Sequence, residues 1–215
     1  MRIVIAGGHG QIARQLGRLV TQDGHEVVGL IRKAEHVPDL EADGVGWKQL
    51  DLEDTSVEQL TEAVRGADAV VFAAGGGPDG NAARKETVDK GAAVMLADAA
   101  IAAGVRRYVM ISSMGQDRID EDSDEVFQVY LRAKRDADDH VRSQDALDWT
   151  IVQPGKLTDD VPTGTVAVGD VEYGSVTRGD VAHVLAEVLE SDHTIGRTFA
   201  VIGGDQPVAE AVRKL

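Results

Sequence analysis

A serine, a tyrosine and a lysine in the second half of the chain have the side chains and the spacing of a proton-transfer site. Ser113 ends an apolar run in ISSM, and Tyr130 and Lys134 follow in YLRAK, four residues apart. Residues four apart share one face of a helix. A phenol has a pKa of about 10, and a nearby ammonium lowers that pKa. Since a serine hydroxyl can hold a substrate oxygen beside the phenol, these residues predict acid–base chemistry on a substrate oxygen.

A glycine-rich turn near the N-terminus predicts a binding site for a dinucleotide. Gly7, Gly8 and Gly10 separate the apolar run RIVIA from a helical stretch that begins with Gln11 and Ile12. Gly7 can form the tight turn, and Gly10 lets the backbone approach a pyrophosphate. The free N–H groups at the start of the helix attract the phosphate charge, so Gln11 and Ile12 are predicted cofactor contacts. A purely structural turn is the alternative, but the position between a first strand and a first helix favours a dinucleotide.

The end of the second predicted strand favours NADP over NAD. NAD-binding proteins place an Asp or Glu there for the ribose 2′-hydroxyl, whereas this chain has Arg32 and Lys33. A guanidinium suits a 2′-phosphate, although Arg32 can also be read as a solvated strand end. His9 can reach the same phosphate, and Asp51 and Leu52 are placed to contact the adenine. Three further residues complete the predicted cofactor contacts, together with Lys134: Ala73, Ala74 and Gly75.

Short apolar runs and helical stretches alternate along the whole chain. The predicted strands cover residues 2–6, 26–32, 47–52, 67–75, 106–113, 150–154 and 198–203, and the predicted helices cover 11–22, 56–65, 82–103, 124–143, 180–190 and the C-terminus. The fourth strand ends in Gly75-Gly76-Gly77-Pro78. This alternation predicts an α/β fold of the doubly wound, Rossmann type, with a parallel sheet covered on both faces. We expect a single domain, residues 1–215, in which residues 156–215 form a small C-terminal segment that covers the substrate.

The composition excludes several classes of function. The net charge of −15, from 37 acidic and 22 basic residues, opposes binding to nucleic acid or to an anionic membrane. The chain has no cysteine, and its six histidines are scattered without metal-ligand spacing. We therefore expect no metal site. The chain shows no membrane span or cleavable signal, which predicts a cytoplasmic protein.

Several stretches together resemble the short-chain dehydrogenases/reductases, and in particular the compact, atypical NAD(P)-binding or NmrA-like members. They are AGGHGQIA, GLIRK, LDLED, VVFAAG, VDKGAAVMLADAAIAAGVRRYVMISSMG, YLRAK and LDWTIVQPGKLTDD. The resemblance implies a seven-stranded Rossmann-type sheet, a preference for NADP, and catalytic roles for Ser113, Tyr130 and Lys134. Asp89 takes the position at which the superfamily uses an asparagine. That difference leaves open whether the superfamily's proton relay operates here.

The leading hypothesis is an NADP(H)-dependent oxidoreductase that acts on a small carbonyl, quinone or flavin-like substrate. The alternative is a non-catalytic sensor of the NADP(H) redox state, of the NmrA-like kind. A sugar-nucleotide epimerase or dehydratase fits less well, since only sixty residues follow Gly155. We expect a small-molecule substrate, and a monomer or a small homo-oligomer.

Overall fold

The computed structural model describes residues 1–77 and 81–215. The strands are β1 (Arg2–Ala6), β2 (Glu26–Ile31), β3 (Gly46–Gln49), β4 (Ala69–Phe72), β5 (Arg107–Ile111), β6 (Asp148–Pro154), β7 (Lys156–Thr158), β8 (Thr165–Gly169), β9 (Ser175–Thr177), β10 (Arg197–Gly203) and β11 (Gln206–Pro207). The α-helices are α1 (Gln11–Gln22), α2 (Val37–Ala42), α3 (Val57–Val64), α4 (Ala82–Arg84), α5 (Ala93–Ala103), α6 (Val126–Arg142), α7 (Arg178–Leu189) and α8 (Val208–Arg213). A π-helical segment, Lys85–Ala92, joins α4 to α5.

Within the described residues, nine strands form the main sheet in the order β11-β8-β10-β6-β5-β4-β1-β2-β3. The seven strands from β10 to β3 pair in parallel, whereas β8 runs antiparallel to both of its neighbours. The predicted doubly wound fold is confirmed, with two more strands at one edge than the resemblance implies. The strand order reverses between β1 and β4, and such a switch point is where this fold binds ligands.

Two apolar cores lie on opposite faces of the sheet. Successive residues of β1 alternate between them: Ile3 and Ile5 belong to one core, and Val4 and Ala6 to the other. Helices α1 and α7 pack together on the first face, and α3 and α5 pack together on the second. Since both faces of β1 are buried, its sequence is an unbroken apolar run rather than an alternating one.

The C-terminal residues complete the domain and also extend it. Strand β10 joins the parallel series beside β6, and α7 packs against α1. Strands β7 and β9 pair in a separate two-stranded sheet. That sheet begins at the carboxyl end of β6, where Lys156 N donates to Gly174 O over 2.9 Å. Residues 156–215 therefore contribute to the core as well as to the edge at which the site lies.

The structure differs from the sequence-based prediction in a few elements. The predicted helix 82–103 contains the π-helical segment Lys85–Ala92, and β3 ends at Gln49 instead of reaching residue 52. The short helix α2, with Pro38 in its first turn, was not predicted. Pro78 lies outside the described residues. In the part of the chain that is described, no helix has the length and apolarity to cross a membrane.

Candidate active site

The glycines of the first turn are required for different structural reasons. Gly7 has a φ of +81°, and a Cβ added to it would lie 2.7 Å from the Cα of Ala74. A Cβ on Gly8 would lie 2.5 Å from the Cα of Gly29, in β2. Both distances are shorter than side chains tolerate. Gly7 and Gly8 therefore let three segments of backbone, from the ends of β1, β2 and β4, come together at the switch point.

Gly10 is less crowded than Gly7 and Gly8, so the protein's own packing constrains it less. It adopts an extended conformation with a φ of −62°, and an added Cβ would lie 3.2 Å from the nearest atom, Gly7 O. Gly10 is the N-cap of α1, and no side chain in the described ranges accepts a hydrogen bond from the first N–H groups of the helix. The first N–H groups of α1 are therefore available to an external anion. This bare cradle fits the pyrophosphate of a dinucleotide.

A cavity of about 250 Å³ opens beside this turn, between the ends of β1, β2 and β4. Its wall includes many of the residues predicted to bind the cofactor: Gly7, His9, Gly10, Arg32, Asp51, Leu52, Ala73, Ala74 and Gly75. The other lining residues are Leu30, Ile31, His36, Leu50, Glu53, Arg84 and Val88. Because an adenosine ribose in this fold lies at the end of β2, we assign the cavity to the adenosine half of the cofactor.

Four predicted contacts lie outside this cavity wall, and one of them, Lys134, lies beside Tyr130 as described below. Ile12 is buried in the core beneath α1, and Gln11 is exposed at the first position of the helix. The side chain of Lys33 is directed to Glu35, with a distance of 2.9 Å from Nζ to Oε1. Backbone N–H groups are what Gln11 and Ile12 can offer a phosphate. Of the two cations predicted to bind a 2′-phosphate, Arg32 is the one that lines the cavity.

Glu53 connects the charged groups around the cavity, and no sequence motif singled it out. It accepts hydrogen bonds from Thr87 Oγ1 at 2.8 Å and from Arg84 Nε at 3.1 Å, and it lies 3.6 Å from Arg32 NH1. Burial raises the pKa of Glu53, but the hydrogen bonds from Thr87 and Arg84 outweigh burial and lower it. The carboxylate is therefore ionised at neutral pH and partly balances the charge of Arg32.

Two histidines stack face to face on the same side of the cavity. The rings of His9 and His36 lie 3.7 Å apart and nearly parallel, and His9 Nε2 is 2.7 Å from Asp39 Oδ2. His36 Nδ1 is buried and has no hydrogen-bond partner within the described residues. Burial and the neighbouring His9 lower the pKa of His36. Both rings lie near Arg32, so a phosphate bound there would meet polar groups from two loops.

Two of the predicted proton-transfer residues, Tyr130 and Lys134, lie beside each other near the carboxyl ends of β4 and β5. Tyr130 is half-buried on α6, and its ring centroid lies 5.9 Å from the ammonium of Lys134. The ammonium of Lys134 is buried, donates to Ile111 O at 3.1 Å and lies 3.4 Å from an oxygen of Asp89. Ser113 lies two residues beyond the end of β5, and its hydroxyl donates to Met114 O at 3.0 Å.

Asp89 is the counter-ion of Lys134. Its side chain is 1% exposed, and its second oxygen accepts a hydrogen bond from Gly76 N at 2.9 Å. A buried ammonium is costly unless a charge of opposite sign and hydrogen bonds accompany it. The aspartate at the superfamily's asparagine position therefore balances Lys134 and fixes the loop that follows β4.

Lys85 is a second ammonium beside the tyrosine ring, and the sequence-based analysis missed it. Its residue is 7% exposed, its Nζ lies 5.7 Å from the centroid of Tyr130, and it donates to Gly77 O. Lys85 and Asp89 both lie on the π-helical segment, and both are buried. Such segments are frequent at functional sites. No short motif marks Lys85, because its approach to Tyr130 depends on how helices pack.

Asp138 lies one further turn along α6 from Lys134 and anchors the loop that carries the serine. Its Oδ2 accepts hydrogen bonds from Ser112 Oγ, Gln116 Nε2 and Gln153 Nε2 at 2.8–3.0 Å. The residue is fully buried, and burial raises the pKa of Asp138 despite these three hydrogen bonds. Gln116 and Gln153 also line an open groove of about 1340 Å³ that begins next to Ser113.

We expect Asp138 to make the protein less stable as the pH rises. Because the pKa of Asp138 is raised by burial, the folded protein holds this proton over a pH range in which the unfolded chain has lost it. The stabilisation that Asp138 provides is greatest below the ordinary aspartate pKa of about 4. It decreases as the pH rises toward the raised pKa of Asp138. Urea unfolding of the wild type and of Asp138→Asn between pH 4 and pH 7 tests this. The free-energy difference, wild type minus variant, should decrease as the pH increases, and a constant or rising difference would contradict the prediction.

A dinucleotide turn at the switch point and a Tyr-Lys pair on the helix after the fifth strand occur together in the short-chain dehydrogenases/reductases. This chain is an atypical member of that superfamily. It belongs to the NAD(P)H-binding family, whose pattern matches residues 7–192. No group of three or more His, Asp or Glu residues that could hold a metal ion occurs in the ranges described.

The similarity to known proteins extends over the full length of this chain. A protein from Bacillus subtilis named "Uncharacterized sugar epimerase YhfK" is 35% identical over 217 residues, which is 100% of both chains. A solved structure of a proposed NAD-dependent epimerase/dehydratase from Bacillus halodurans is 37% identical, with a TM-score of 0.91 and 100% of both chains covered. The structure of the oxidoreductase ylbE from Lactococcus lactis is 29% identical, with a TM-score of 0.89, and covers 100% of this chain and 96% of that one.

Proposed function

We propose that the protein is an NADP(H)-dependent oxidoreductase that transfers a hydride to or from a small carbonyl, quinone or flavin-like compound. The observation that carries this proposal is the buried Lys134–Asp89 pair beside the ring of Tyr130. A protein that only binds a dinucleotide has no need of a buried ammonium at a phenol. The name of the similar Lactococcus lactis structure, an oxidoreductase, supports the same reading.

In the proposed reaction the cofactor transfers the hydride and the side chains of this protein transfer the proton. When bound at the glycine turn, NADP(H) supplies or accepts the hydride. In the reducing direction, the O–H bond of Tyr130 breaks and its proton moves to the substrate oxygen, which becomes a hydroxyl. Lys134 stabilises the phenolate that remains, and Asp89 balances the charge of Lys134. Ser113, whose hydroxyl is bonded to Met114 O, rotates to hold the substrate oxygen.

A redox sensor remains the second candidate function, because the substrate end of the site has only a small cover. The epimerase names of two relatives fit this chain less well than a reductase. Of the residues that follow Gly155, β10, α7 and α8 belong to the main domain. The remaining part is short, which argues against a cradle for a nucleotide sugar.

Turnover with NADPH separates an enzyme from a sensor. NADPH oxidation is followed by absorbance with a panel of quinones, flavins and aldehydes, each at several concentrations. An enzyme should reduce at least one of these acceptors with saturation kinetics. If the purified protein binds NADPH but oxidises none of the panel, we would abandon the oxidoreductase in favour of the sensor.

The cofactor preference is tested at Arg32. We expect NADPH to bind the wild type at least tenfold more tightly than NADH, about the value of one charge-assisted contact. Arg32→Gln should lose that advantage and leave the Kd of NADH within about twofold. Glu53→Gln is the matched control, because it removes the carboxylate beside Arg32 and should not weaken NADPH. Fluorescence titration measures these Kd values, and equal wild-type affinities for the two cofactors would remove the NADP assignment.

A further inference from the structure

The ammonium of Lys85 is buried, and no carboxylate of residues 1–77 or 81–215 pairs with it. Its residue is 7% exposed, and its hydrogen-bond acceptor is the carbonyl oxygen of Gly77. No aspartate or glutamate oxygen lies within 4.0 Å of Nζ in the described part of the chain, whereas Lys134, the other lysine at this site, has Asp89 at 3.4 Å. An ammonium has three N–H donors, so Lys85 has capacity beyond the Gly77 carbonyl.

Among the described residues, the two lysines therefore share a single carboxylate beside Tyr130, so one positive charge has no anionic partner there. Asp89 balances one of them, and its oxygens are already committed to Lys134 and to Gly76 N. Removing an ammonium from water without an anionic partner is costly. A site that retains such a charge is complementary to an anion that arrives from solution.

An aromatic surface adjoins this charge. Phe127 lies three residues before Tyr130 on α6, and the two ring centroids are 6.0 Å apart with an angle of 28° between the planes. Phe127 is 54% exposed, which is unusual for a phenylalanine. A planar compound can pack on these rings while its negative group reaches Lys85.

We propose that Lys85 binds the carboxylate of a planar, conjugated acceptor, so that the substrate class of this enzyme is an aromatic compound that carries a negative charge. This inference rests on the oxidoreductase function proposed above and specifies its substrate. Lys85 contacts the substrate's charge, whereas Tyr130 exchanges the proton with its reacting oxygen. The nicotinamide cofactor provides the hydride, and the carboxylate is not altered by the reaction.

A pair of acceptors that differ only in charge tests the assignment. The aldehyde groups of 4-carboxybenzaldehyde and of methyl 4-formylbenzoate are reduced with NADPH by the wild type, Lys85→Met and Lys85→Arg. Lys85→Met should raise the KM of the carboxylate about tenfold or more, the value of one charge-assisted hydrogen bond. It should change the KM of the ester and the Kd of NADPH by less than about twofold, and Lys85→Arg should restore most of the loss.

Other outcomes would overturn the assignment. Equal losses with the carboxylate and the ester would mean that Lys85 does not recognise substrate charge. A rise in the Kd of NADPH would place Lys85 on the cofactor pyrophosphate. A shifted pH profile of kcat, with both KM values unchanged, would mean that Lys85 acts on the phenol of Tyr130 instead.

A binding measurement separates this inference from the proposed function. Calorimetry compares 2-naphthoate with neutral 2-naphthamide on the NADP⁺ complexes of the wild type and Lys85→Met. The wild type should bind naphthoate more tightly than naphthamide, and Lys85→Met should remove the difference. If no aldehyde, quinone or flavin is reduced but this difference is present, the oxidoreductase is wrong and the anion site stands. If turnover occurs and the difference is absent, the anion site is wrong.

Discussion

Tyr130→Phe should reduce turnover on a carbonyl acceptor by about 10²–10⁴, the usual contribution of a positioned acid–base group. The change removes one hydroxyl and keeps the ring that packs beside Phe127 and the two lysines. The Kd of NADPH and the free energy of unfolding should therefore stay close to their wild-type values. Steady-state kinetics, fluorescence titration and urea unfolding measure these three quantities.

Tyr108→Phe is the matched control, because it removes a tyrosine hydroxyl from the core. Tyr108 is fully buried, and its hydroxyl donates to Ala93 O at 2.9 Å. Its loss should cost about 1 kcal/mol of stability and leave turnover unchanged at 25 °C. If Tyr130→Phe loses turnover but not stability, and Tyr108→Phe loses stability but not turnover, Tyr130 has a role in catalysis. Turnover by Tyr130→Phe at the wild-type rate on every acceptor would exclude the tyrosine from the mechanism.

Gly8→Ala should destabilise the protein by about 1–3 kcal/mol or more, because its Cβ would lie 2.5 Å from the Cα of Gly29. Both atoms belong to backbone at the ends of β1 and β2, so no side-chain rotation relieves the contact. The distance must grow by displacing one strand end from the other. Thermal and urea unfolding of the variant, without added cofactor, measure this effect.

Gly10→Ala provides the contrast within the same turn. Its Cβ would lie 3.2 Å from Gly7 O, and the backbone of Gly10 has an ordinary negative φ. Stability should decrease by less than about 1 kcal/mol, while the Kd of NADPH should rise at least tenfold, because the methyl group occupies the approach of the pyrophosphate. Stability losses of equal size in the two variants would contradict the different roles assigned to Gly8 and Gly10.

The fold could be predicted because its elements depend on local patterns. Apolar runs such as RIVIA and the helical stretch from Gln11 to Gln22 place β1 and α1 correctly, and their alternation predicts the doubly wound sheet. Short strand-like pieces are expected after the sixth strand, but the antiparallel pairing of β8 and the two-residue β11 were not predicted. Their pairing depends on how the chain returns to the edge of the sheet, which no periodicity records.

The site was predicted in part, and the missing residues have a common physical cause. Gly7, Arg32, Tyr130 and Lys134 belong to motifs with a fixed spacing along the chain. Lys85, Glu53 and Asp138 act through neighbours that lie far away in sequence, since Glu53 meets residues of β2 and of the π-helical segment. Residue type alone does not tell whether a lysine is exposed or buried. The charge balance around Tyr130 therefore requires the three-dimensional structure.

The π-helical segment determines the direction in which Lys85 and Asp89 point from their helix. In an α-helix each residue advances the side chain by about 100°, and a π-helical stretch holds one extra residue within the same length of axis. Lys85 and Asp89 lie in that stretch, while α5 beyond it packs by its own apolar residues. A homologue that kept both residues but lacked one position in between would preserve its core and rotate the two charges away from α6. Comparisons within the family should therefore count residues across this helix before equating its charged positions.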